Sequence, residues 1–279
     1  MLTDYHVHLR PDEDDSPAER YFTEANADRY REAATERGIE ELGVAEHIHR
    51  FTQSLDVWTH AWYRHWARDD VDEYVEFLRA SQLKVGIETD FLPGREDRLA
   101  NLLDERDWDY VVGSVHFLRD EAVDFHGYPD WEPWNIWRDG DPEKVWARYF
   151  ETLGEAARSG LFDVLAHPDL VKVWGSRVPL PEGDLRRFYD RAMEGIAESD
   201  VAIEVSTAGL RKPVGEIYPA PAFLEMCLDA GRPVALSSDA HLPEQLGYEY
   251  ERAVEWLGGL GVREIAVFDR RARRLEALG

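Results

Sequence analysis

The chain is poor in cysteine, in lysine and in positive charge generally, and no part of it is apolar for long. Cys227 is the single cysteine among 279 residues, so no disulfide can form within the chain, which fits a reducing cytoplasm. Lysine occurs only at Lys84, Lys144, Lys172 and Lys212, and Lys plus Arg total 32 against 57 Asp plus Glu, a formal charge of −25 at pH 7. That balance argues against sequence-independent binding of DNA or RNA, which draws its affinity from cations at phosphates, and against docking on an anionic membrane. No apolar run approaches the roughly 20 residues of a membrane span. Met1–His8 reads as a strand and leaves no room for a signal peptide, so a cytoplasmic protein is expected. Internal repeats and low-complexity linkers are lacking too, and residues 1–279 are expected to form one domain. With 44% apolar and 12% aromatic residues, material for a core is ample.

What the chain does have is a series of seven short apolar runs, each ending in a polar residue able to hold a metal or a phosphate. They are Thr3–His8, Leu42–His47, Lys84–Glu88, Tyr110–His116, Asp163–His167, Val201–Ser206 and Pro233–His241. Helical patterning fills most intervals between them, over Asn26–Gly38, Asp70–Ser81, Pro142–Gly160, Asp184–Ser199 with Asp184 as N-cap, Ala220–Gly231 and Pro243–Gly258. Strand alternating with helix predicts an α/β barrel, in which residues at the carboxyl ends of the strands gather on one face. His6, His8, His47, Glu88, His116, His167, Asp239 and His241 then converge although they span most of the sequence. His6 and His8, two apart on a strand, share a side. Imidazoles mixed with carboxylates and without thiolates suit Zn, Mn or Fe and speak against a structural zinc site.

Two segments break the pattern. Arg50–Ala67 carries Trp58, Trp62 and Trp66, and Asp120–Gly140 carries Trp131, Trp134 and Trp137. Each follows a strand that ends in a proposed ligand, which predicts long loops over the active face; the alternative is that Trp58, Trp62 and Trp66, four apart, form one buried helical stripe. His49 is expected to point into the loop after its strand, and His60, His65 and His126 to be surface or loop residues. Glu46, beside His47, should face away from it.

The residues YHVHL, VAEHI, GIETD, GSVHF, AHPDLVK and SSDAH, in this order over the full length, resemble the PHP (polymerase and histidinol phosphatase) superfamily of metal-dependent phosphoesterases. Gly113–His116 and Thr207–Pro213 resemble its monofunctional histidinol-phosphate phosphatase branch. The resemblance implies a single-domain, distorted seven-stranded (β/α) barrel with a trinuclear metal centre at the C-terminal ends of the strands. Glu264–Phe268 is then an extra strand or part of a C-terminal extension. His6, His8, Glu88 and Asp239 would hold the first metal, with Glu88 bridging to a second held by His116 and His167, and His47 and His241 would hold a third. Relatives usually place another histidine shortly after the HxH pair; Leu9–Glu13 occupies that place here, and Asp12 is the candidate substitute.

In such a centre, close divalent ions lower the pKa of a bridging water, orient the phosphate and offset charge on the attacking and leaving oxygens. Three divalent ions bring +6 against −2 from Glu88 and Asp239, so a phosphate dianion meets a locally positive site despite the acidic chain. Asp239 and Arg211 are the expected catalytic residues, and Arg211 and Lys212, then Lys172 and Arg177, the expected grips on a small phosphorylated substrate. The activity implied is hydrolysis of L-histidinol phosphate to L-histidinol and phosphate in histidine biosynthesis. Other phosphomonoesters, nucleotide phosphodiesters and phosphotyrosine are the alternatives within the superfamily. An amidohydrolase-like barrel also uses HxH, but commonly with a bridging lysine where the fourth run here ends in His116.

Overall fold

The computed structural model describes all residues 1–279. Seven parallel strands, β1 (Thr3–Asp4), β2 (Glu41–His47), β3 (Lys84–Asp90), β4 (Tyr110–Ser114), β5 (Val164–Leu165), β6 (Ala202–Ser206) and β7 (Val234–Ser237), pair in chain order. The sheet nearly closes on itself, because Val7 bridges Ala240 and His8 N–H donates to the Ala240 carbonyl at 2.7 Å. The result is the expected barrel with helices around it. β1 is shorter than the first run and β3 longer than the third, reaching two residues past Glu88 to Asp90.

The helices form where sequence patterning meets a cap. Asp70 Oδ1 accepts from the amides of Asp72 and Glu73, and the helix Val71–Ala80 that follows buries Val71, Tyr74 and Leu78 on one stripe. Asp141 and Pro142 start the helix Pro142–Arg158 in the same way. This helix lies against Arg186–Glu198 at a crossing of small residues, where a Cβ on Gly195 would stand 2.1 Å from the Gly154 carbonyl oxygen. Asp184 is not the N-cap expected for Arg186–Glu198: that position is Leu185, although the Asp184 carboxylate still accepts from Arg186 N–H at 3.0 Å. The expected helix Pro243–Gly258 is two pieces, a 3₁₀ turn Pro243–Gln245 and a helix Tyr250–Gly259, because the chain passes through left-handed conformations at Gly247 and Glu249. A further helix, Glu96–Asp104, fills the interval between β3 and β4.

Glu264–Phe268 proves to be an extra strand. With Ala272–Ala277 it makes an antiparallel hairpin, β8 (Glu264–Asp269) and β9 (Ala272–Ala277), at the amino-terminal end of the barrel. Ala266, Val267 and Phe268 pack with Tyr5, Ala45, Tyr110 and Val112 of the barrel interior, and the Tyr5 ring lies 4.9 Å from Tyr110 and 5.6 Å from Phe268. Arg271 reaches back to Asp163 at 2.9 Å. The hairpin therefore stops one end of the barrel interior with apolar side chains.

Candidate metal centre

At the carboxyl ends of the strands, six histidines and two carboxylates meet around Glu88. Glu88 Oε2 lies 3.3 Å from His6 Nε2, 3.8 Å from His8 Nε2 and 2.5 Å from His47 Nδ1, while its Oε1 lies 3.2 Å from His167 Nε2 and 3.6 Å from His116 Nε2. Asp239 Oδ1 stands 3.4 Å from His8 Nε2 and 3.9 Å from His6 Nε2. His241 Nδ1 lies 3.7 Å from the same oxygen, and its Nε2 lies 2.8 Å from Asp12 Oδ2. All eight residues expected from the sequence are thus together. They come from β2, β3 and the segments that follow β1, β4, β5 and β7, because every strand of a parallel barrel delivers its last residues to the same rim. His167 and Asp239 hold positive φ angles, +24° and +48°, which non-glycine residues adopt at a cost of order 1–3 kcal/mol. Both turns point a ligand inward.

Three sets bring their donor atoms within 4.8 Å of one another: His6, Glu88 and His167; His6, His8 and Asp239; and His8, His47 and His241. His8 stacks on both His47 and His241 at 4.2 Å, so it belongs with the expected third set as much as with the first. Asp12, exposed to solvent, lies between His47 and His241, 3.6 Å from His47 Nε2, and also accepts from Arg50 at 2.6 Å. The site fits divalent ions on its own chemistry. His6 Nε2, His8 Nε2 and Glu88 Oε2 are buried, face one another and have no hydrogen-bond partner. Orphan polar atoms of this kind are costly unless a cation takes them. Burial would raise the Glu88 and Asp239 carboxyls, but the surrounding histidines hold both well below the usual carboxylate range. Burial lowers His8, with His47 and His241 adding to it, whereas in His6 the carboxylates of Glu204, Glu88 and Asp239 outweigh burial and raise it.

A second layer, which the sequence reading did not identify, orients these ligands. His6 Nδ1 lies 2.8 Å from Glu204 Oε1, and the other Glu204 oxygen accepts from His167 N–H. His116 Nδ1 lies 2.7 Å from Asp90 Oδ1, whose Oδ2 accepts from Tyr63 O–H at 2.6 Å. Carboxylates behind ligating histidines fix ring orientation and tautomer. Both carried a signal: Glu204 is a lone charge inside a buried strand, and Asp90 shares a strand side with Glu88.

The centre opens into a cavity of about 420 Å³. Arg211 and Lys212 line it as expected. Arg211 donates to the carbonyls of Ser238 and Asp239, bracing the turn that carries the ligand, and its Nε has no partner. Lys172 and Arg177 do not line it. The Lys172 ammonium is buried against Asp169 at 3.0 Å, Glu216 at 3.1 Å and the Ile217 carbonyl at 3.1 Å, which uses its donors, and Arg177 is exposed on a 3₁₀ turn outside the cavity.

Both tryptophan segments do lie over this face, but as short helical turns. Trp62 and Trp66 sit on the helix Ala61–Trp66 and Trp58 lies outside it, so there is no single stripe. Trp62 meets Trp131 of the other segment at 4.7 Å. His49 departs from the expectation: it is buried, stacks on His47 at 4.8 Å and lines the cavity. His60 is likewise buried, stacked on Trp58. Glu46 faces away from His47 and is tied to Leu9 N–H at 2.8 Å and to Arg10.

Known proteins resemble this chain in sequence and in fold. The PHP domain family model matches residues 21–208. A protein of Deinococcus radiodurans named "Probable histidinol-phosphatase" is 32% identical, over 87% of this chain and 90% of its own length. The histidinol-phosphatase of Bacillus subtilis is 25% identical, over 81% and 91%. Among solved structures, the histidinol phosphate phosphatase of Lactococcus lactis, complexed with zinc, L-histidinol and phosphate, superposes with a TM-score of 0.73 at 18% identity, covering 98% of each chain, and so shares the fold. With its barrel, its converging ligands and these matches, the chain belongs to the PHP domain family.

Proposed function

We propose that this chain is a phosphoric monoester hydrolase that converts L-histidinol phosphate and water to L-histidinol and inorganic phosphate, a step of histidine biosynthesis in the cytoplasm. The observation that carries the reading is the meeting of eight side chains able to hold metal ions with Arg211 and Lys212 at one cavity. The names of the relatives that match over most of the chain support the choice of substrate.

His6, His8, His47, Glu88, His116, His167, Asp239 and His241 would hold two or three divalent ions, Zn, Mn or Fe, with Asp12 completing the set of His47 and His241. Such ions bring a water to reactivity near neutral pH and neutralise phosphate charge. The protein's own groups do the rest. Glu88 presents one oxygen to each half of the centre, and Asp239 faces His6 and His8. The partnerless Arg211 Nε and the Lys212 ammonium grip phosphate oxygens and hold the ester against the centre. Arg211 thereby couples substrate to the turn bearing Asp239.

Turnover of L-histidinol phosphate beside a panel of other monoesters and a nucleotide phosphodiester tests the reading. Histidinol phosphate should lead by orders of magnitude in kcat/KM. Equal, low rates on all would overturn the substrate assignment.

A further inference from the structure

The cavity lining carries two chemistries: the ligand set with Arg211 and Lys212, and an aromatic and acidic part with Trp62, Phe125, Trp131 and Trp174. One acid there hydrogen-bonds to none of the metal-binding residues, although the charges of His116 and Lys212 act on it. Asp124 lines the cavity, and its Oδ1 is buried without any hydrogen-bond partner. Its flanks are fixed. Val123 N–H donates to the His116 carbonyl at 2.9 Å, and the Val123 carbonyl accepts from the indole N–H of Trp137 at 2.7 Å and of Trp174 at 3.0 Å. On the other side Phe125 is buried, with its ring 4.7 Å from Trp62 and 5.6 Å from Phe117. A backbone held so firmly keeps the carboxylate in place.

In a site that takes phosphate alone, a fixed carboxylate is a liability. It repels the dianion, and its desolvated oxygen stays unpaired. Both costs vanish when the ligand brings a cation to that wall. An ammonium or imidazolium there meets a carboxylate and, close by, indole faces that attract cations. Phosphate against Arg211 and Lys212 and a positive nitrogen against Asp124 then match the charges of the cavity lining.

We propose that Asp124 determines specificity by pairing with a positively charged nitrogen on the alcohol part of the substrate, which the aromatic wall encloses. This rests on the phosphomonoester reading above and narrows the substrate class to amine-bearing phosphate esters, to which L-histidinol phosphate belongs.

The test compares Asp124→Asn and Asp124→Ala with the unaltered metal-loaded enzyme, using L-histidinol phosphate and 4-nitrophenyl phosphate, which carries no cation. The ratio of the two kcat/KM values should fall about thirty-fold or more, chiefly through KM, as expected for loss of a desolvated charge pair. Direct binding of L-histidinol to the metal-loaded protein, read by calorimetry and needing no turnover, should weaken in parallel. An unchanged ratio, or equal losses on both esters, overturns the proposal. Should either variant lose metal or fold, the unaltered enzyme still decides: it should favour O-phosphoethanolamine over ethyl phosphate, and no preference overturns the role of Asp124. If that preference holds while L-histidinol phosphate shows no advantage over other amine-bearing esters, the substrate assignment falls and the Asp124 pairing stands.

Discussion

Glu204 shows how much one side chain behind the ligands can decide. Its two oxygens serve His6 Nδ1 and the His167 amide, so a single buried carboxylate orients ligands from opposite sides of the barrel. Glu204→Gln keeps the shape but has one acceptor oxygen where two are needed. It should weaken metal binding by roughly 10- to 100-fold, read by competition against a chelating dye, and unchanged affinity would remove Glu204 from the centre. Asp12→Ala should release one ion while sparing the rest, since Asp12 touches only His47 and His241 among the ligands; metal content after dialysis gives the count. Ligands of this kind are legible in a sequence because they recur at one structural position, the end of a strand. Lys172 is not. Asp169, three residues before it in AHPDLVK, is a partner the motif itself holds, but Glu216 lies 44 residues away and is joined to it by no periodic relation, so the motif alone does not show that its donors are all used.

At the level of whole elements, the crossing of Pro142–Arg158 on Arg186–Glu198 sets how tightly the helical layer packs. Gly195→Ala gains about 1 kcal/mol of helix propensity, but its methyl meets the Gly154 carbonyl, a backbone atom that cannot step aside. Overpacking of this sort costs about 1–3 kcal/mol, so the variant should unfold at lower denaturant than the unaltered protein, and a higher midpoint would mean the helices can slide apart freely. Helices with a capping acid and an apolar stripe, such as Val71–Ala80, were readable to within a residue. The division of Pro243–Gly258 was not, because left-handed backbone at Glu249 is imposed by tertiary context and leaves no trace in hydrophobic spacing. Of the hairpin Glu264–Ala277, the apolar run Glu264–Phe268 marked the first strand as one of two alternatives, whereas Ala272–Ala277, exposed along almost its whole length, carries no buried face that would mark the second.

Across the whole molecule, metal and protons compete for the same side chains. Burial works against the positive charge of His47 and His116, but Glu88, with Asp12 and Asp90, outweighs it and raises them to about 10 and about 9 in the metal-free protein. Both are therefore protonated at neutral pH, and an ion must displace those protons to bind the rings. Metal affinity accordingly rises with pH. The metal-free fold behaves oppositely. A histidine whose folded pKa lies above its unfolded value of about 6.5 gives its full stabilisation below that pH, and the contribution disappears as pH climbs through about 9 to about 10. The difference in Tm between metal-loaded and chelator-treated protein should then widen steadily from pH 6 to pH 9. Paired melting curves at pH 6, 7.5 and 9 measure it directly. A gap that narrows as pH rises would show that the ions are held by groups other than these histidines, and would undo the centre from which the activity is argued.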